Sequence, residues 1–136
     1  MIPPLEDLDH FHVHVADLAA AEAWYSRVLG LHRDSRLEFW MNGGGPLMIR
    51  NAEGSVHLSL FERPCRDSRS TLAFRSSAAA FLQWRRHLES VLPGPVELDD
   101  HTVSWSLYFS DPDGNPFEIT TYEHEAVRLG LDSGSP

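Results

Sequence analysis

Three histidines alternate with apolar residues near the start of the chain. His10, His12 and His14 occupy every second position of the segment 10–15, with Phe11, Val13 and Val15 between them. Because successive side chains of a β-strand point to opposite faces, this period predicts three imidazoles on one face and an apolar opposite face. Such a face is either a polar, solvated surface or a source of nitrogens for metal binding and proton transfer.

Two further polar side chains interrupt apolar strand patterns elsewhere. His57 lies in Val-His-Leu-Ser-Leu and Glu118 in Phe-Glu-Ile-Thr, each predicted to face away from the apolar side of its strand. Either side chain alone is commonly a solvated or hydrogen-bonded residue. Together with His10 they supply two imidazoles and one carboxylate, a set that suits divalent first-row metals in a Lewis-acid or non-haem iron role. The sequence therefore makes His10, His57 and Glu118 candidate metal ligands on three separate strands, while spacing alone does not determine whether they converge.

A turn with strong sequence preferences directly precedes the strand of Glu118. The segment 111–115 is Asp-Pro-Asp-Gly-Asn. Pro112 presets its own φ angle, and Gly114 adopts positive φ without steric cost. We therefore predict a strand, a tight turn and a second strand across residues 103–121.

The elements that carry these residues follow the same order twice. The first half predicts a strand at 10–15, a helix at 18–29 begun by Asp17 and ended by Gly30, and strands at 36–41, 47–50 and 56–61. The second half predicts a strand at 71–75, a helix from 78 to about 91 begun by Ser77, and strands at 96–98, 103–109 and 116–121. The sequence thus favours an α+β fold built from two βαβββ modules.

These elements give one domain over residues 1–136. Module one spans residues 8–61, a polar connector spans 62–70, module two spans 71–122, and a C-terminal tail spans 123–136. The residues after His124 are compatible with a short helix or with an irregular tail. The exposed edges of two open modules favour pairing with a second chain, so we expect a homodimer.

Composition narrows the function classes. The chain has 136 residues, is 42% hydrophobic, and carries a formal net charge of -9. Without a Lys/Arg cluster to offset that charge, nucleic acid and anionic membranes are poor partners. No apolar run is long enough to cross a membrane, and the N-terminus lacks signal-peptide features. A single cysteine, Cys65, allows no internal disulfide, and we expect a cytoplasmic protein.

Two parts of the chain resemble the vicinal oxygen chelate superfamily. The domain of that superfamily begins with residues similar to Leu8–Leu18 and Trp24–Leu31, and it ends with residues similar to 108–118. That superfamily includes glyoxalase I, extradiol dioxygenases, fosfomycin-resistance transferases and bleomycin-resistance proteins. The resemblance covers about residues 8–122 and implies two paired βαβββ modules that form a cupped mixed sheet around a divalent metal. Because one scaffold hosts several chemistries, the resemblance is specific for fold and weak for reaction.

The resemblance also implies a ligand set. His10 matches the first-strand ligand, His57 the ligand on the fourth strand of module one (where glyoxalase I has Glu), and Glu118 the last-strand ligand. The remaining ligand, a histidine that opens module two, falls at Thr71, or at Ser70 after a shift of one residue. This departure argues against the extradiol dioxygenase and fosfomycin enzyme sites unless His57 substitutes for the missing histidine.

Two functions follow as expectations. The first is an enzyme of the lyase, isomerase or dioxygenase type that uses Fe²⁺, Mn²⁺, Ni²⁺ or Zn²⁺ and a small substrate chelating through vicinal oxygens, with His12 as general acid or base. The second is a metal-free protein that sequesters a small aromatic or cationic compound, as bleomycin-resistance proteins do. A fold retained only for protein contacts would show neither metal nor ligand. The modules pair either within one chain or between two chains.

Overall fold

The structure is a computed structural model that describes residues 1–133, and it divides into two compact units, Met1–Cys65 and Arg66–Pro136. The division falls inside the predicted connector, residues 62–70. Each unit contains one four-stranded mixed sheet with helices. None of the helices in the described part of the chain is long and apolar enough to cross a membrane.

Module one contains four strands, one α-helix and one 3₁₀ helix. Its elements are β1 (Phe11–Val15), α1 (Leu18–Leu29), β2 (His32–Arg33), the 3₁₀ helix Ser35–Gly43, β3 (Leu47–Arg50) and β4 (His57–Glu62). The strand order is β1-β4-β3-β2, with β1 parallel to β4 and the remaining pairs antiparallel. The apolar face of β1, β3 and β4 forms the core with α1, which contributes Ala21, Trp24, Tyr25, Val28 and Leu29.

Module two repeats this arrangement and adds a C-terminal helix. Its elements are β5 (Leu72–Arg75), α2 (Ala78–Val91), β6 (Glu97–Asp100), β7 (Trp105–Ser110), β8 (Pro116–Thr121) and α3 (His124–Asp132). The order β5-β8-β7-β6, with β5 parallel to β8, matches that of module one. The largest buried side chains are Phe81, Leu88, Leu107, Phe117 and Ile119. Most of the predicted tail 123–136 is therefore helix α3, and residues 134–136 lie outside the described residues.

The strand predicted at residues 36–41 is wrong. Residues 35–43 form a 3₁₀ helix, and the second strand of module one is the two-residue β2. The side chain of Asp34 accepts a hydrogen bond from the Arg36 N–H at the start of the 3₁₀ helix, and Gly44 ends it with a φ of 80°. The segment buries no residue. Local capping therefore decides its conformation, because it has no buried face to pack as a strand.

Both module helices begin with the same pair of caps, of which the sequence predicted the first, Asp17 or Ser77, but not the second, a glutamate from outside the helix. Asp17 accepts a hydrogen bond from the Ala20 N–H at 2.8 Å, and Glu62, at the end of β4, accepts one from the Leu18 N–H at 3.0 Å. In module two, Ser77 and Glu123 cap α2 in the same way, at 3.2 and 2.8 Å. The start of α1 is thus hydrogen-bonded to the end of β4, and the start of α2 to the chain just after β8. Each of these strands pairs in parallel with the first strand of its module.

Replacing Asp17 with alanine is expected to lower the free energy of unfolding by about 1 kcal/mol, because the Ala20 N–H loses its acceptor. Urea denaturation followed by circular dichroism measures this loss. The variant Glu6→Ala, in the exposed N-terminal segment, is the control. An Asp17→Ala variant as stable as the control would show that Glu62 alone is sufficient to cap α1.

Asp34 makes the stability of the fold depend on pH in the acidic range. Its buried carboxylate accepts hydrogen bonds from Nε and Nη2 of Arg36 at 3.1 and 2.9 Å. These bonds outweigh the effect of burial and, with the nearby charge of Arg50, lower the Asp34 pKa to about 2. The stabilisation is complete above the unfolded-state pKa of about 4 and is lost as pH falls towards 2.

Urea denaturation at pH 5, 4, 3 and 2 tests this effect. The native chain is expected to lose stability more steeply between pH 4 and pH 2 than an Asp34→Asn variant, which has no carboxylate to protonate. Parallel stability curves for the two proteins would contradict the assignment.

Candidate functional site

The imidazoles of β1 lie on one face of the module-one sheet, as predicted. Val13 and Val15 are buried on the opposite face, with exposed fractions of 5% and 0%, whereas His12 is exposed. His14 is half-buried, and its Nδ1 hydrogen-bonds the Pro64 carbonyl oxygen at 3.1 Å. His14 is thus held by the chain that leaves β4.

His57 is brought next to His10 by the parallel pairing of β1 and β4. Phe11 pairs with Leu58 and His12 with Ser59, so continuing the register by one residue sets His10 opposite His57. Paired residues of neighbouring strands share a face. His57 is half-buried, and the continued register thus places it opposite His10, a residue 47 positions earlier in the sequence.

His10 forms contacts at both of its ring nitrogens. Its Nδ1 lies 2.7 Å from Oδ2 of Asp9, and its Nε2 lies 3.0 Å from Nε2 of His12. The two imidazoles stack, with ring centroids 5.0 Å apart and an interplanar angle of 25°. Because a carboxylate can only accept, the Nδ1 of His10 carries a proton, and in the neutral ring the Nε2 keeps its lone pair.

Phe61 supports the imidazoles further along the same face. Its ring centroid lies 4.8 Å from that of His12 and 6.4 Å from that of His14. The Arg63 guanidinium lies 4.6 Å from the centre of the Phe61 ring, in cation–π geometry. These contacts restrict the His12 ring to one part of the face.

Glu118 occupies the corresponding face of the module-two sheet. Phe117 and Ile119 are buried on the other side of β8, with exposed fractions of 1% and 2%, while Glu118 is half-buried. The hydroxyl of Ser106, itself fully buried, donates a hydrogen bond to Oε2 of Glu118 at 2.7 Å. In the sheet register Glu118 pairs with Ala73 on β5 and with Tyr108 on β7. The carboxylate is thus anchored at one oxygen and set beside a small side chain.

The turn before β8 is organised by a buried carboxylate. Asp111, 5% exposed, accepts hydrogen bonds at Oδ1 from the N–H groups of Asp113 and Asn115 at 2.9 and 2.8 Å. Its Oδ2 accepts a third bond, from Nδ2 of Asn115, at 2.8 Å. Gly114 has a φ of 82°, as the turn prediction requires. The Arg69 guanidinium donates to the Asp113 carbonyl oxygen at 2.6 Å, which ties the connector to this turn.

Thr71 lies where the resemblance implies a fourth ligand, one residue before β5. It is exposed, as is Ala73, while Leu72 is buried, in agreement with the predicted parity. Thr71 offers a hydroxyl and Ala73 no polar atom. Neither Thr71 nor Ala73 therefore supplies a nitrogen or carboxylate ligand.

Exposed aromatic side chains mark a separate region of module one. Phe39 and Trp40, on the 3₁₀ helix, are 62% and 42% exposed, with ring centroids 5.9 Å apart. They are therefore not core residues of a strand, and they form an accessible aromatic pair. In module two, Tyr108 hydrogen-bonds Nε2 of His101 at 3.0 Å.

Two of the three predicted ligands belong to module one and the third to module two. Within residues 1–133, no group of three or more His, Cys, Asp or Glu side chains has the arrangement of a metal site. His10 and His57 offer imidazole nitrogens and Glu118 offers a carboxylate oxygen, which are donors that divalent first-row ions accept. That the three bind one ion stays a prediction.

Sequence reasoning missed two residues that hold the predicted ligands. Asp9 precedes His10 directly and could have been found from that adjacency. No sequence pattern links Ser106 to Glu118, which lies twelve positions later. The two side chains meet only through the antiparallel pairing of β7 with β8.

The chain belongs to the Glyoxalase/Bleomycin resistance protein/Dioxygenase superfamily, whose family model matches residues 7–119. No curated protein matches the sequence. The predicted superfamily and the predicted α+β fold of βαβββ modules are therefore confirmed. Members of this superfamily bind small-molecule substrates.

Solved structures agree with this assignment. A lactoylglutathione lyase from Agrobacterium tumefaciens is 25% identical, with a TM-score of 0.68, over 88% of this chain and 96% of that one. A glyoxalase/dioxygenase from Nostoc punctiforme is 21% identical, with a TM-score of 0.67, over 90% and 96%. The fosfomycin resistance protein FosX from Listeria monocytogenes, complexed with Mn(II) and sulfate, is 17% identical, with a TM-score of 0.62, over 94% and 99%.

Proposed function

We propose that this protein is a divalent-metal-dependent enzyme that acts on a small substrate chelating through vicinal oxygens, by lyase, isomerase or dioxygenase chemistry. The observation that carries the proposal is the parallel register of β1 and β4, which, continued by one residue, sets His10 opposite His57. A neighbouring pair, with a third imidazole in contact, supports a metal site.

The proposed ligands are His10, His57 and Glu118, and the proposed ion is Fe²⁺, Mn²⁺, Ni²⁺ or Zn²⁺. One structural relative supports a metal ion, since FosX was solved with Mn(II), and a second, a lactoylglutathione lyase, supports lyase chemistry. When bound, the ion would act as a Lewis acid on two adjacent substrate oxygens.

Hydrogen bonds to the proposed ligands support their role. Asp9 accepts the Nδ1 proton of His10 and so directs the Nε2 lone pair outward. Ser106 donates to one oxygen of Glu118, which leaves the other oxygen for an ion. Such bonds fix ligand tautomer and orientation in metal sites. No observation tests the acid–base role predicted for His12, and that role stays a prediction.

The homodimer and the cytoplasmic location also stay proposals. Each four-stranded sheet has two edge strands, β1 and β2 in module one and β5 and β6 in module two. Strand edges can pair with other strands, which supports assembly with a second chain. Light scattering coupled to size-exclusion chromatography measures the mass in solution, and a monomeric mass of 15.4 kDa would contradict the dimer.

The second candidate is a metal-free protein that sequesters a cationic aromatic compound. Three observations favour it: Thr71 replaces a ligand, the net charge is -9, and Phe39 and Trp40 are exposed as a pair. Charge attraction and stacking would then supply the binding energy.

Elemental analysis of protein prepared without a histidine tag separates the two candidates. The metal-dependent enzyme predicts about one divalent ion per proposed site, lost in His57→Ala and retained in His32→Ala, a control histidine on β2 of the same sheet. A native protein that binds no added Zn²⁺, Ni²⁺, Mn²⁺ or Fe²⁺ would overturn the metal-dependent proposal. Tight binding of a cationic aromatic dye by that metal-free protein would then support the sequestering function.

A further inference from the structure

An open cleft of about 330 Å³ lies beside β2, the edge strand of the module-one sheet. Residues 32–36 and 50–52 line it, which are β2, the start of the 3₁₀ helix, the end of β3 and the turn that follows. All of them belong to module one. The volume falls within the range of small-molecule sites, about 300–1,000 Å³. The cleft is therefore a candidate ligand site formed by residues of one module.

Three arginines meet in this cleft, although they form no cluster in the sequence. Arg33, Arg36 and Arg50 line it together with one carboxylate, that of Asp34. The antiparallel pairing of β2 with β3, which sets His32 opposite Arg50, brings them together. The sequence contains no lysine, so these are three of its eleven permanently cationic side chains, in a protein of net charge -9. The cleft thus concentrates positive charge in an acidic protein.

Carboxylates balance two of these three guanidinium groups. Glu22 accepts hydrogen bonds from Nε and Nη2 of Arg33, both at 2.7 Å, and Glu38 lies 3.9 Å from Nη1 of Arg33. Neither glutamate lines the cleft. Asp34 accepts hydrogen bonds from Nε and Nη2 of Arg36 at 3.1 and 2.9 Å. These pairs restrict the guanidinium groups of Arg33 and Arg36 and neutralise their charges.

The third guanidinium, that of Arg50, is held by neutral groups instead. Its Nε and Nη2 donate to the carbonyl oxygens of Asn51 and Ala52, both at 3.0 Å. The turn that carries these carbonyls is itself fixed, because Oδ1 of Asn51 accepts hydrogen bonds from the N–H groups of Ser55 and Val56 at 2.9 and 3.0 Å. Within residues 1–133, no carboxylate lies within ion-pair distance of Arg50. Arg50 is therefore a half-buried, preorganised cation without a counterion in contact.

We propose that this cleft binds a phosphate group, either as inorganic phosphate or as part of a small phosphorylated compound. Guanidinium groups match phosphate oxygens in charge and in geometry. Because Arg36 and Arg50 each donate through Nε and Nη2, their Nη1 groups are the donors left for a ligand among the described residues. The three arginines come from three separate segments, and a tetrahedral anion presents oxygens in more directions than a planar carboxylate does. The end of the 3₁₀ helix is not the site, because Asp34 already caps it.

Titration of the metal-free, ¹⁵N-labelled protein with inorganic phosphate at constant ionic strength tests the inference. Two-dimensional NMR is expected to show shifts of the backbone signals of residues 32–36 and 50–52. Arg50→Gln is expected to weaken phosphate binding at least about tenfold, because it removes the charge but keeps an amide donor for the turn. The matched control is Arg27→Gln, an exposed arginine of α1, which changes the net charge equally and is expected to leave the affinity within about twofold.

A second variant keeps the test decisive if Arg50→Gln does not fold. The Arg36 side chain is 70% exposed and lies outside the turn, and Arg36→Gln is expected to weaken phosphate binding at least about fivefold. Parallel titrations with glycerol phosphate and acetate define the ligand. Tighter binding of glycerol phosphate than of phosphate would assign the cleft to a phosphorylated compound, and equal binding would assign it to inorganic phosphate.

Three results would overturn the inference. They are acetate binding as tight as phosphate binding, signal shifts that spare residues 32–36 and 50–52, and equal losses of affinity in Arg27→Gln and Arg50→Gln. The last result would show that phosphate responds only to overall charge. Because the protein is metal-free throughout, none of these results depends on the proposed metal site.

Discussion

Replacing Glu118 with alanine is expected to weaken Zn²⁺ binding by at least about 100-fold, while the fold is retained. The proposed site has one anionic ligand, and its loss removes both a metal–oxygen bond and the charge that favours a divalent ion. Changes to residues that only orient a ligand cost about 10- to 100-fold in metal affinity, so a ligand itself is expected to cost more. Competition with a chromophoric chelator measures the affinity.

Two further variants sharpen this prediction. Ser106→Ala is expected to weaken Zn²⁺ binding by about tenfold, since it frees the Glu118 carboxylate without removing it. Glu97→Ala is the matched control, because Glu97 lies on β6 of the same sheet and pairs with Tyr108, the residue that also pairs with Glu118. Zn²⁺ affinity unchanged by Glu118→Ala would exclude module two from the metal site.

Replacing Asp111 with alanine is expected to lower the free energy of unfolding by about 3 kcal/mol. The substitution removes a buried carboxylate that accepts three hydrogen bonds. The N–H groups of Asp113 and Asn115 then lose this acceptor. Buried donors that lose a charged acceptor cost about 1–3 kcal/mol each, and the local chain can recover part of this by rearranging. The turn that leads into β8 would then lose its defined geometry.

Urea denaturation measures the effect, with Glu53→Ala in an exposed turn of module one as the control. Asp111→Asn is expected to be intermediate, because its amide keeps one oxygen acceptor and presents a donor to the Asn115 amide. A stability within about 0.5 kcal/mol of the native protein for Asp111→Ala would contradict the structural role of this carboxylate.

Most of the fold was predicted from the spacing of apolar residues and from the capping and turn residues that end each element. The alternation in residues 11–15 and 116–121 predicted β1 and β8, and Asp17, Gly30 and Ser77 marked the helix ends that are observed. The 3₁₀ helix at residues 35–43 escaped prediction, because its apolar residues resemble those of a strand while its conformation is decided by the caps at Asp34 and Gly44.

The sequence by itself determined which side chains point away from the core. Strand alternation sets His10, His12, His57 and Glu118 on the faces opposite the buried Val, Leu, Phe and Ile residues, since exchanging the faces would bury charge and expose the core. Only the tertiary structure decided which of these side chains meet. The parallel pairing of β1 with β4 sets His10 beside His57, and the pairing of β7 with β8 brings Ser106 to Glu118. Strand pairing joins residues that are distant in the chain through backbone hydrogen bonds, and those bonds do not depend on side-chain identity. No local pattern encodes them.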